Sequence, residues 1–395
     1  MINLKILKRE VKNLKFYVGN MQEDTFKYQL TNYWRFIDKK ILFSFFILFF
    51  LGLFFSFSST SSLAGERLNK DYYFFFTKHL VFTFLAISIM ISISFIKTDI
   101  FIKYIVPFFI LTFIFLALVP MIGVEVKGAK RWIDFYFFRL QPIEILKPFF
   151  ILMTAKILTL EKFKNPQIKY FLSFILLCSI LILLIDQPDL GQSILLTCTW
   201  VATVFISGVS LIYIFIFLLV FLTSLSSLLL IFPEKFGYII NRLVTFFDPS
   251  QGDKFQSSAA LDAIKLGGVT GQGMGEGILK ESVPEAHTDY VIAVISEEYG
   301  SLVSILILTI FLYISFRIVK NCFNQDNKFF KISLSGLATL LIFQTFIHAG
   351  VNINLLPATG MTLPFLSYGG SSLIGSAILA GLVLNYTKNK SYLYD

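Results

Sequence analysis

The sequence predicts an all-α polytopic membrane protein with about ten transmembrane helices. Hydrophobic residues make up 56% of the 395-residue chain and charged residues only 15%, against roughly 25% in soluble domains. Apolar runs of about 17–24 residues recur along the chain, and each is long enough to cross a hydrocarbon layer roughly 30 Å thick. The Lys and Arg residues fall mainly between these runs, so the net charge of +9 indicates membrane topology rather than nucleic-acid binding.

Ten segments carry the apolar pattern of a membrane span. They lie at residues 41–57, 79–96, 102–122, 142–160, 170–186, 190–207, 210–232, 290–316, 330–350 and 367–386. The fourth differs from the others because it contains Glu144, Lys147 and Lys156. We expect a cytoplasmic N-terminal tail at 1–40, a transmembrane domain at 41–387 and a cytoplasmic C-terminal tail at 388–395.

The distribution of basic residues predicts that both termini face the cytoplasm. With the N-terminus inside, 21 Lys and Arg residues lie on the cytoplasmic side and 13 on the other, and five of those 13 lie in one long loop. Long loops weigh little in this rule, so an N-in, C-in arrangement is favoured.

Two long segments, 233–289 and 351–370, then lie on the outer side. The first is too long for a simple connection between spans seven and eight, and such loops usually carry function or fold into small helices. Two prolines and four glycines in or beside the second, counting Gly350, forbid a continuous helix. At membrane depth such a backbone survives only when it is buried in protein or lines a wet cavity.

The segment 284–300, PEAHTDYVIAVISEEYG, places several polar side chains at the start of the eighth span. A carboxylate at the mouth of a span costs free energy unless a neighbour or water offsets it, so this cluster indicates a working site at the membrane surface. Asp289 is the candidate catalytic residue, and Glu285, His287 and Thr288 are candidate substrate-binding neighbours. The alternative is helix capping by Thr288 or Asp289, which is compatible with a chemical role.

Glu297 and Glu298 lie about two turns deeper in the same span. On one straight helix they cannot all face the same pocket as Asp289, because successive residues are about 100° apart. The favoured interpretation is that at least one of them pairs with a Lys or Arg on another span.

Glu144 and Lys147 are three residues apart, so they share one face of a helix. One interpretation is a local ion pair that makes the span tolerable. The other is that Lys147, with Lys130 and Arg131, lines a cavity that accepts a phosphate group. The two interpretations stay open, and Trp132 and Gln141 in the same segment are further candidate binding residues.

Two glycine-rich segments invite other interpretations. The run from Gly267 to Gly277 has no preceding strand and no Gly-Lys-Ser/Thr, which argues against a nucleotide site, and Gly273 to Gly277 predicts a flexible or tightly turned backbone instead. The run Ser367, Tyr368, Gly369 and Gly370 predicts a helix start with close backbone approach, and these four residues are also candidate binding residues. Three cysteines and three histidines are too few and too scattered to suggest a metal cage.

The chain resembles the SEDS family (shape, elongation, division and sporulation). The matching pieces occur in the family's order and cover most of residues 128–372. They are GAKRWIDF with RLQPIEILK, DQPDLGQS, FFDPSQGDKFQ with GGVTGQGMGEG, PEAHTDYVIAVISEEYG and NLLPATGMTLPFLSYGGSS.

This resemblance implies a multi-pass peptidoglycan glycosyltransferase that polymerises lipid II outside the bacterial cytoplasmic membrane. It implies that Asp289 is catalytic and that Glu144 and Lys147 line a central cavity. It also implies a class B penicillin-binding protein transpeptidase and other divisome proteins as partners. A divalent cation, Mg²⁺ or Mn²⁺, is left open as a cofactor, because no carboxylate pair has unmistakable ligand spacing.

Two departures from the family pattern bear on the type of protein. Ile143 stands where a small residue usually follows Gln-Pro, and Ala358-Thr359-Gly360 is closer to the elongation type. The DPSQGDKFQ and AHTDY stretches look more like the division type, which we favour. A lipid II flippase and a scaffold for the transpeptidase are the alternatives from other classes. The charge-rich, irregular segments cluster at the outer face, which favours surface chemistry over transport.

Overall fold

The computed structural model describes residues 31, 33–60, 73–126, 128–136, 138–231, 237, 240, 242, 244–247 and 255–388. Most of the predicted N-terminal tail and nearly all of the C-terminal tail lie outside these residues. Within them the chain forms α-helices α1 (Lys39–Phe55), α2 (Phe74–Phe95), α3 (Thr98–Ile122), α4 (Pro142–Leu158), α5 (Pro166–Asp186), α6 (Leu190–Ile206), α7 (Leu211–Ile231), α8 (Phe255–Gly267), α9 (Val291–Phe323), α10 (Lys328–Asn352) and α11 (Gly370–Tyr386).

Each predicted span coincides with one of these helices. In the described part of the chain, six helices are long and apolar enough to cross a membrane: α1 extended to Ser58, α2, α3, α5, α9 and α10. The chain is therefore a mostly helical, multi-pass membrane protein. Three further apolar helices are shorter, at Leu190–Ile206, Leu211–Ser224 and Gly370–Tyr386. The count of ten spans and the N-in, C-in orientation stay predictions.

Helix α10 lies at the centre of the bundle. Of its most apolar window, 67% is buried inside the protein, against 28% for α2, α3 and α5. The outer helices instead carry exposed aromatic residues such as Phe84 and Phe50. These side chains face the hydrocarbon in a membrane, where exposed apolar surface carries no penalty.

A small sheet between α3 and α4 corrects the all-α prediction. Strands β1 (Val124–Val126), β2 (Ala129–Asp134) and β3 (Arg139–Leu140) pair antiparallel in the order β1-β2-β3. Gly128 turns the first hairpin with φ +76°, a conformation that favours glycine. Alternation along β2 buries Arg131 and exposes Lys130.

Helix α9 is broken at Gly300, whose φ of 84° and ψ of 165° are not helical. The break divides it into a short helix at 291–299 and a long helix from 301. The backbone that follows α8 fits into the break: Gln272 N donates to Glu297 O at 2.9 Å, and Ser301 N donates to Gly268 O at 3.0 Å. Close backbone approach therefore explains the glycine-rich run, and of the two alternatives for 273–277 the tightly turned backbone is confirmed by positive φ at Gly273 and Gly275.

Helix α11 packs against α2 from end to end. At its start, a Cβ on Gly370 would lie 2.7 Å from the Phe82 ring, so the predicted close approach is confirmed. At its end, Asn385 Nδ2 donates to Ile93 O at 2.9 Å and to Ile96 O at 2.7 Å. These bonds satisfy carbonyl groups that the last turn of α2 leaves without helical partners.

Candidate active site

A tight turn before α9 presents Asp289. Glu285, with φ +53°, offers one carbonyl oxygen to three backbone N–H groups: Thr288 at 3.0 Å, Asp289 at 3.1 Å and Tyr290 at 3.3 Å. Asp289 is half-buried in this turn. Three backbone hydrogen bonds thus hold the turn that carries its carboxylate.

Asn352, at the end of α10, fixes the start of α9. Its Nδ2 donates to Asp289 O at 3.1 Å, and its Oδ1 accepts from Ala293 N at 3.0 Å. The N-cap residue of α9 is Tyr290, which makes no side-chain cap bond. A fully buried side chain from another helix thus bonds an amide of the first turn, and among the described residues no cap bond from Thr288 or Asp289 supports the capping alternative.

The segment before α11 bonds to the same turn. Ser367 Oγ donates to Thr288 O at 2.6 Å, and Tyr368 N donates to His287 O at 3.0 Å. The rings of Tyr368 and His287 are 5.9 Å apart. Four of the predicted site residues are thus brought together, while Gly369 and Gly370 lie at the start of α11 and shape its packing.

Arg131 faces Asp289 across a gap next to Gly360. Its guanidinium is oriented by Nε donating to Gln187 O at 3.1 Å and by Nη2 donating to Pro188 O. A Cβ on Gly360 would lie 3.7 Å from Arg131 Nη1 and 3.7 Å from Asp289 Oδ2. Since Gly360 has φ +71° and no side chain, a cation and a carboxylate share an unfilled space above its Cα.

The other residues predicted around Arg131 lie elsewhere. Lys130 is exposed and pairs across the strands with Glu125, on the face of β2 opposite to Arg131. Trp132 is half-buried on that same opposite face. Gln141 precedes α4, and its Nε2 donates to Asp189 Oδ2 at 3.2 Å. Of these three, Gln141 belongs to the polar network around Arg131.

Asp189 connects that network to the bundle interior. Its Oδ2 lies 3.9 Å from Arg131 Nε, and its Oδ1 accepts from Gln192 N at 3.4 Å. Burial raises the pKa of Asp189 even though the Arg131 charge acts in the opposite direction. Gln192 Nε2 continues the chain of bonds to Glu144 Oε1 at 2.6 Å.

Glu144 and Lys147 form a buried ion pair at 2.8 Å. Lys147 Nζ also donates to Gln344 Oε1 at 3.0 Å, and Gln344 Nε2 donates to Thr362 O at 3.1 Å. The cavity that this pair lines has room for about one water molecule. In this conformation Lys147 therefore has the geometry of the local ion pair, and the phosphate-binding interpretation stays a hypothesis.

Glu297 and Glu298 pair inside the protein, as expected, but their partners differ from the prediction. Glu298 forms an ion pair with Lys280, which lies in the loop between α8 and α9 and not on another span. Glu297 accepts from Leu279 N and Lys280 N, both at 2.6 Å. The reason is the break at Gly300, which brings loop backbone against the end of the short helix.

Sequence reasoning missed several residues of this site. Asp189 and Gln192 lie in DQPDLGQS, which was used only for the resemblance, and this polar motif between two apolar runs was the available signal. Arg242 and Asp289 both act electrostatically on the Tyr290 hydroxyl, so Arg242 lies near the site too. Asn352 and Gln344 carried no local signal.

The described residues hold no group of three or more His, Cys, Asp or Glu side chains that could bind a metal ion. The carboxylates nearest to the site are instead engaged by cations and amides: Asp189 by Arg131, and Glu144 by Lys147 and Gln192. A divalent cation therefore stays a prediction, and the chemistry below is derived from the chain's own side chains.

Comparisons with known proteins place the chain in a family. The model of the cell cycle proteins FtsW, RodA and SpoVE matches residues 39–392. The probable peptidoglycan glycosyltransferase FtsW of Caulobacter vibrioides is 32% identical over 363 residues, covering 92% of this chain and 92% of that protein.

Two solved structures share the fold. A chain of a peptidoglycan synthase complex, studied for the coordination of polymerization and crosslinking, has a TM-score of 0.73 at 24% identity, covering 89% of this chain and 97% of that chain. The rod shape determining protein RodA of Thermus thermophilus has a TM-score of 0.66 at 25% identity, covering 89% of this chain and 96% of that chain. The chain thus belongs to the FtsW/RodA/SpoVE family of cell cycle proteins, the SEDS family that its motifs resemble.

Proposed function

We propose that the chain is a peptidoglycan glycosyltransferase of the FtsW type, which polymerises lipid II at the outer face of the bacterial cytoplasmic membrane during septal wall synthesis. Its family and the name of its Caulobacter relative support the activity and the division type. The observation that carries the mechanism is the shared space at Gly360, where the Asp289 carboxylate and the Arg131 guanidinium face each other.

Asp289 acts as the general base. It accepts the proton of the acceptor sugar's 4-hydroxyl while that oxygen attacks the anomeric carbon of the donor strand. The bond from that carbon to the phosphate oxygen breaks, and undecaprenyl pyrophosphate leaves with the electron pair. Asp289 is half-buried and borders the space beside Gly360, so its carboxylate can contact an acceptor hydroxyl that is bound there.

Arg131 stabilises the charge that develops on the leaving pyrophosphate. A guanidinium suits this task, since it stays charged and presents several donors in a fixed plane. Two backbone carbonyls and Asp189 already orient it, so it needs little reorganisation during the reaction. Lys147 lies deeper and supports the network through Glu144 and Gln192.

The topology and partners complete the proposal. Ten spans with both termini in the cytoplasm place the turn of Asp289 and the β2 strand of Arg131 on the outer side, where lipid-linked sugars are polymerised. A class B penicillin-binding protein and other divisome proteins are the proposed partners; a similar fold occurs in a peptidoglycan synthase complex. The lipid tails of the substrate stay in the bilayer, which explains why a sugar polymerase needs so many apolar helices.

The test is polymerisation of purified lipid II in detergent, where transport across a membrane is impossible. Wild type should form glycan strands, and Asp289→Asn should form none while it stays folded and monodisperse. Adding or chelating Mg²⁺ or Mn²⁺ in each reaction tests the cation. Inactive wild type with active lipid II translocation in vesicles would support the flippase instead. Unchanged wall synthesis in cells that carry Asp289→Asn would support the scaffold.

A further inference from the structure

We infer that residues 268–281, here called the splint, position Asp289 by holding the far end of the short helix 291–299. The inference rests on the proposed role of Asp289 as the base. Asp289 precedes this short helix, and Glu297 and Glu298 end it, just before the break at Gly300. The hydrogen bonds and the ion pair between the splint and the short helix lie at the end that is remote from the carboxylate, so these residues act through the helix.

Backbone contact between the splint and the short helix requires glycine. A Cβ on Gly271 would lie 2.2 Å from Glu298 O, and a Cβ on Gly300 would lie 2.2 Å from Val269 O. At this distance Gly273 N donates to Glu298 O at 3.0 Å, in addition to the bonds of Gln272 and Ser301. The splint thus supplies the hydrogen bonds that the broken helix loses at its end.

Two buried carboxylates of the short helix bond to the splint. Both oxygens of Glu297 accept backbone N–H groups of the 3₁₀ turn Leu279–Glu281, at 2.6 Å each. Glu298 forms an ion pair with Lys280, and Lys280 Nζ also donates to Gly275 O at 3.0 Å. Glu298 is 1% exposed and Lys280 6% exposed, so removing one partner leaves an unpaired buried charge.

The short helix is therefore held at both ends. Asn352 and Ser367 fix the turn at its start, and the splint fixes its end. With only about two turns between them, a displacement at Glu298 moves the helix as a unit and shifts Asp289 relative to Arg131. A misplacement of about 1 Å at a reacting group can cost roughly a hundredfold in rate.

The sharpest test is a matched pair of glycine substitutions in the full-length protein. Gly271→Ala and Gly275→Ala introduce the same backbone strain, because their φ angles are 83° and 84°. A Cβ on Gly275 meets no heavy atom within 4 Å, whereas one on Gly271 pushes on Glu298 O. We expect kcat for lipid II polymerisation to fall at least tenfold in Gly271→Ala with KM nearly unchanged, and to stay within threefold of wild type in Gly275→Ala.

A double variant and its control keep the inference testable if Gly271→Ala fails to fold. Lys280→Met with Glu298→Gln removes both charges at once, so no buried charge is left unpaired. Arg317→Gln is the control, because it breaks an ion pair with Asp38 at the other end of α9, 3.0 Å in length. The first variant should lose at least tenfold in kcat, and the control should lose none.

Amide hydrogen exchange in detergent separates this inference from the proposed function. In both splint variants the amides of 272, 273, 279 and 280 should exchange at least tenfold faster than in wild type. Faster exchange with unchanged kcat would overturn the positioning role, and so would equal kcat in Gly271→Ala and Gly275→Ala. Full activity of Asp289→Asn would overturn the proposed base, whatever the exchange of the splint shows.

Discussion

Replacing Gly360 with alanine should lower the rate of glycan synthesis roughly a hundredfold while leaving the protein folded. The added methyl group would lie 3.7 Å from Arg131 Nη1 and 3.7 Å from Asp289 Oδ2, which is ordinary van der Waals contact. Nothing needs to move to admit it, so the surrounding structure stays as it is. The methyl group would, however, occupy the space between Asp289 and Arg131, where the anomeric carbon must lie between the attacking hydroxyl and the leaving pyrophosphate.

The expected loss of stability and the expected loss of rate have separate causes. A non-glycine residue at φ +71° costs about 1–2 kcal/mol of stability. Gly128 has φ +76° and would meet no heavy atom within 4 Å, so Gly128→Ala carries the same strain without filling the gap. If the methyl group displaces the reacting atoms by about 1 Å, the rate falls roughly a hundredfold, or about 2.7 kcal/mol in activation free energy.

The assay compares both variants with wild type for lipid II polymerisation and for thermal unfolding in detergent. The two variants should unfold at similar temperatures, and only Gly360→Ala should lose activity. Normal polymerisation by Gly360→Ala would refute the location of the reaction between Arg131 and Asp289. Equal loss in Gly128→Ala would show that backbone strain, and not the filled gap, caused the effect.

Three further substitutions test other parts of the account. Asn352→Leu should cost roughly 2–4 kcal/mol in unfolding free energy, because it removes three hydrogen bonds, and should lower kcat by releasing the Asp289 backbone. Lys147→Met should cost about 3–5 kcal/mol in unfolding free energy, because it leaves Glu144 charged and buried. The double variant Lys147→Met with Glu144→Gln should recover most of that stability. An inactive but stable double variant would favour the phosphate-binding interpretation. Asp38→Asn should cost about 1–3 kcal/mol at pH 7. Burial raises the pKa of Asp38, but hydrogen bonds from α9 outweigh it and hold the pKa below 3.8, so the difference in melting temperature from wild type should vanish as the pH falls below that value.

The positions of the helices were predictable because apolar runs of membrane length are local signals. The eighth span illustrates the limit, since a single glycine at position 300 is compatible with a continuous helix as well as a break. The break depends on bonds from Gln272 and Gly273 to carbonyls of Glu297 and Glu298, about 25 residues away in sequence. No local pattern encodes such a contact.

The carboxylate of the candidate site was predictable from the sequence. The residues that hydrogen-bond to the site's charged groups were less predictable. Asp289 and Arg131 stood out as charged groups beside apolar runs, and the structure brings them together. The side chains that satisfy Glu144 and Lys147 come from residues 48 and 197 positions away along the chain. Those partners, Gln192 and Gln344, are neutral residues in apolar helices, so hydropathy alone does not distinguish them from other polar residues within spans.

The most direct test of the central claim is a paired measurement on Asp289→Asn. The dissociation constant for a fluorescent lipid II is measured in detergent, together with the rate of glycan formation at saturating substrate. Because asparagine keeps the shape of the side chain but cannot act as a base, we predict a dissociation constant within threefold of wild type and a rate at least a thousandfold lower. A rate within tenfold of wild type would contradict the account.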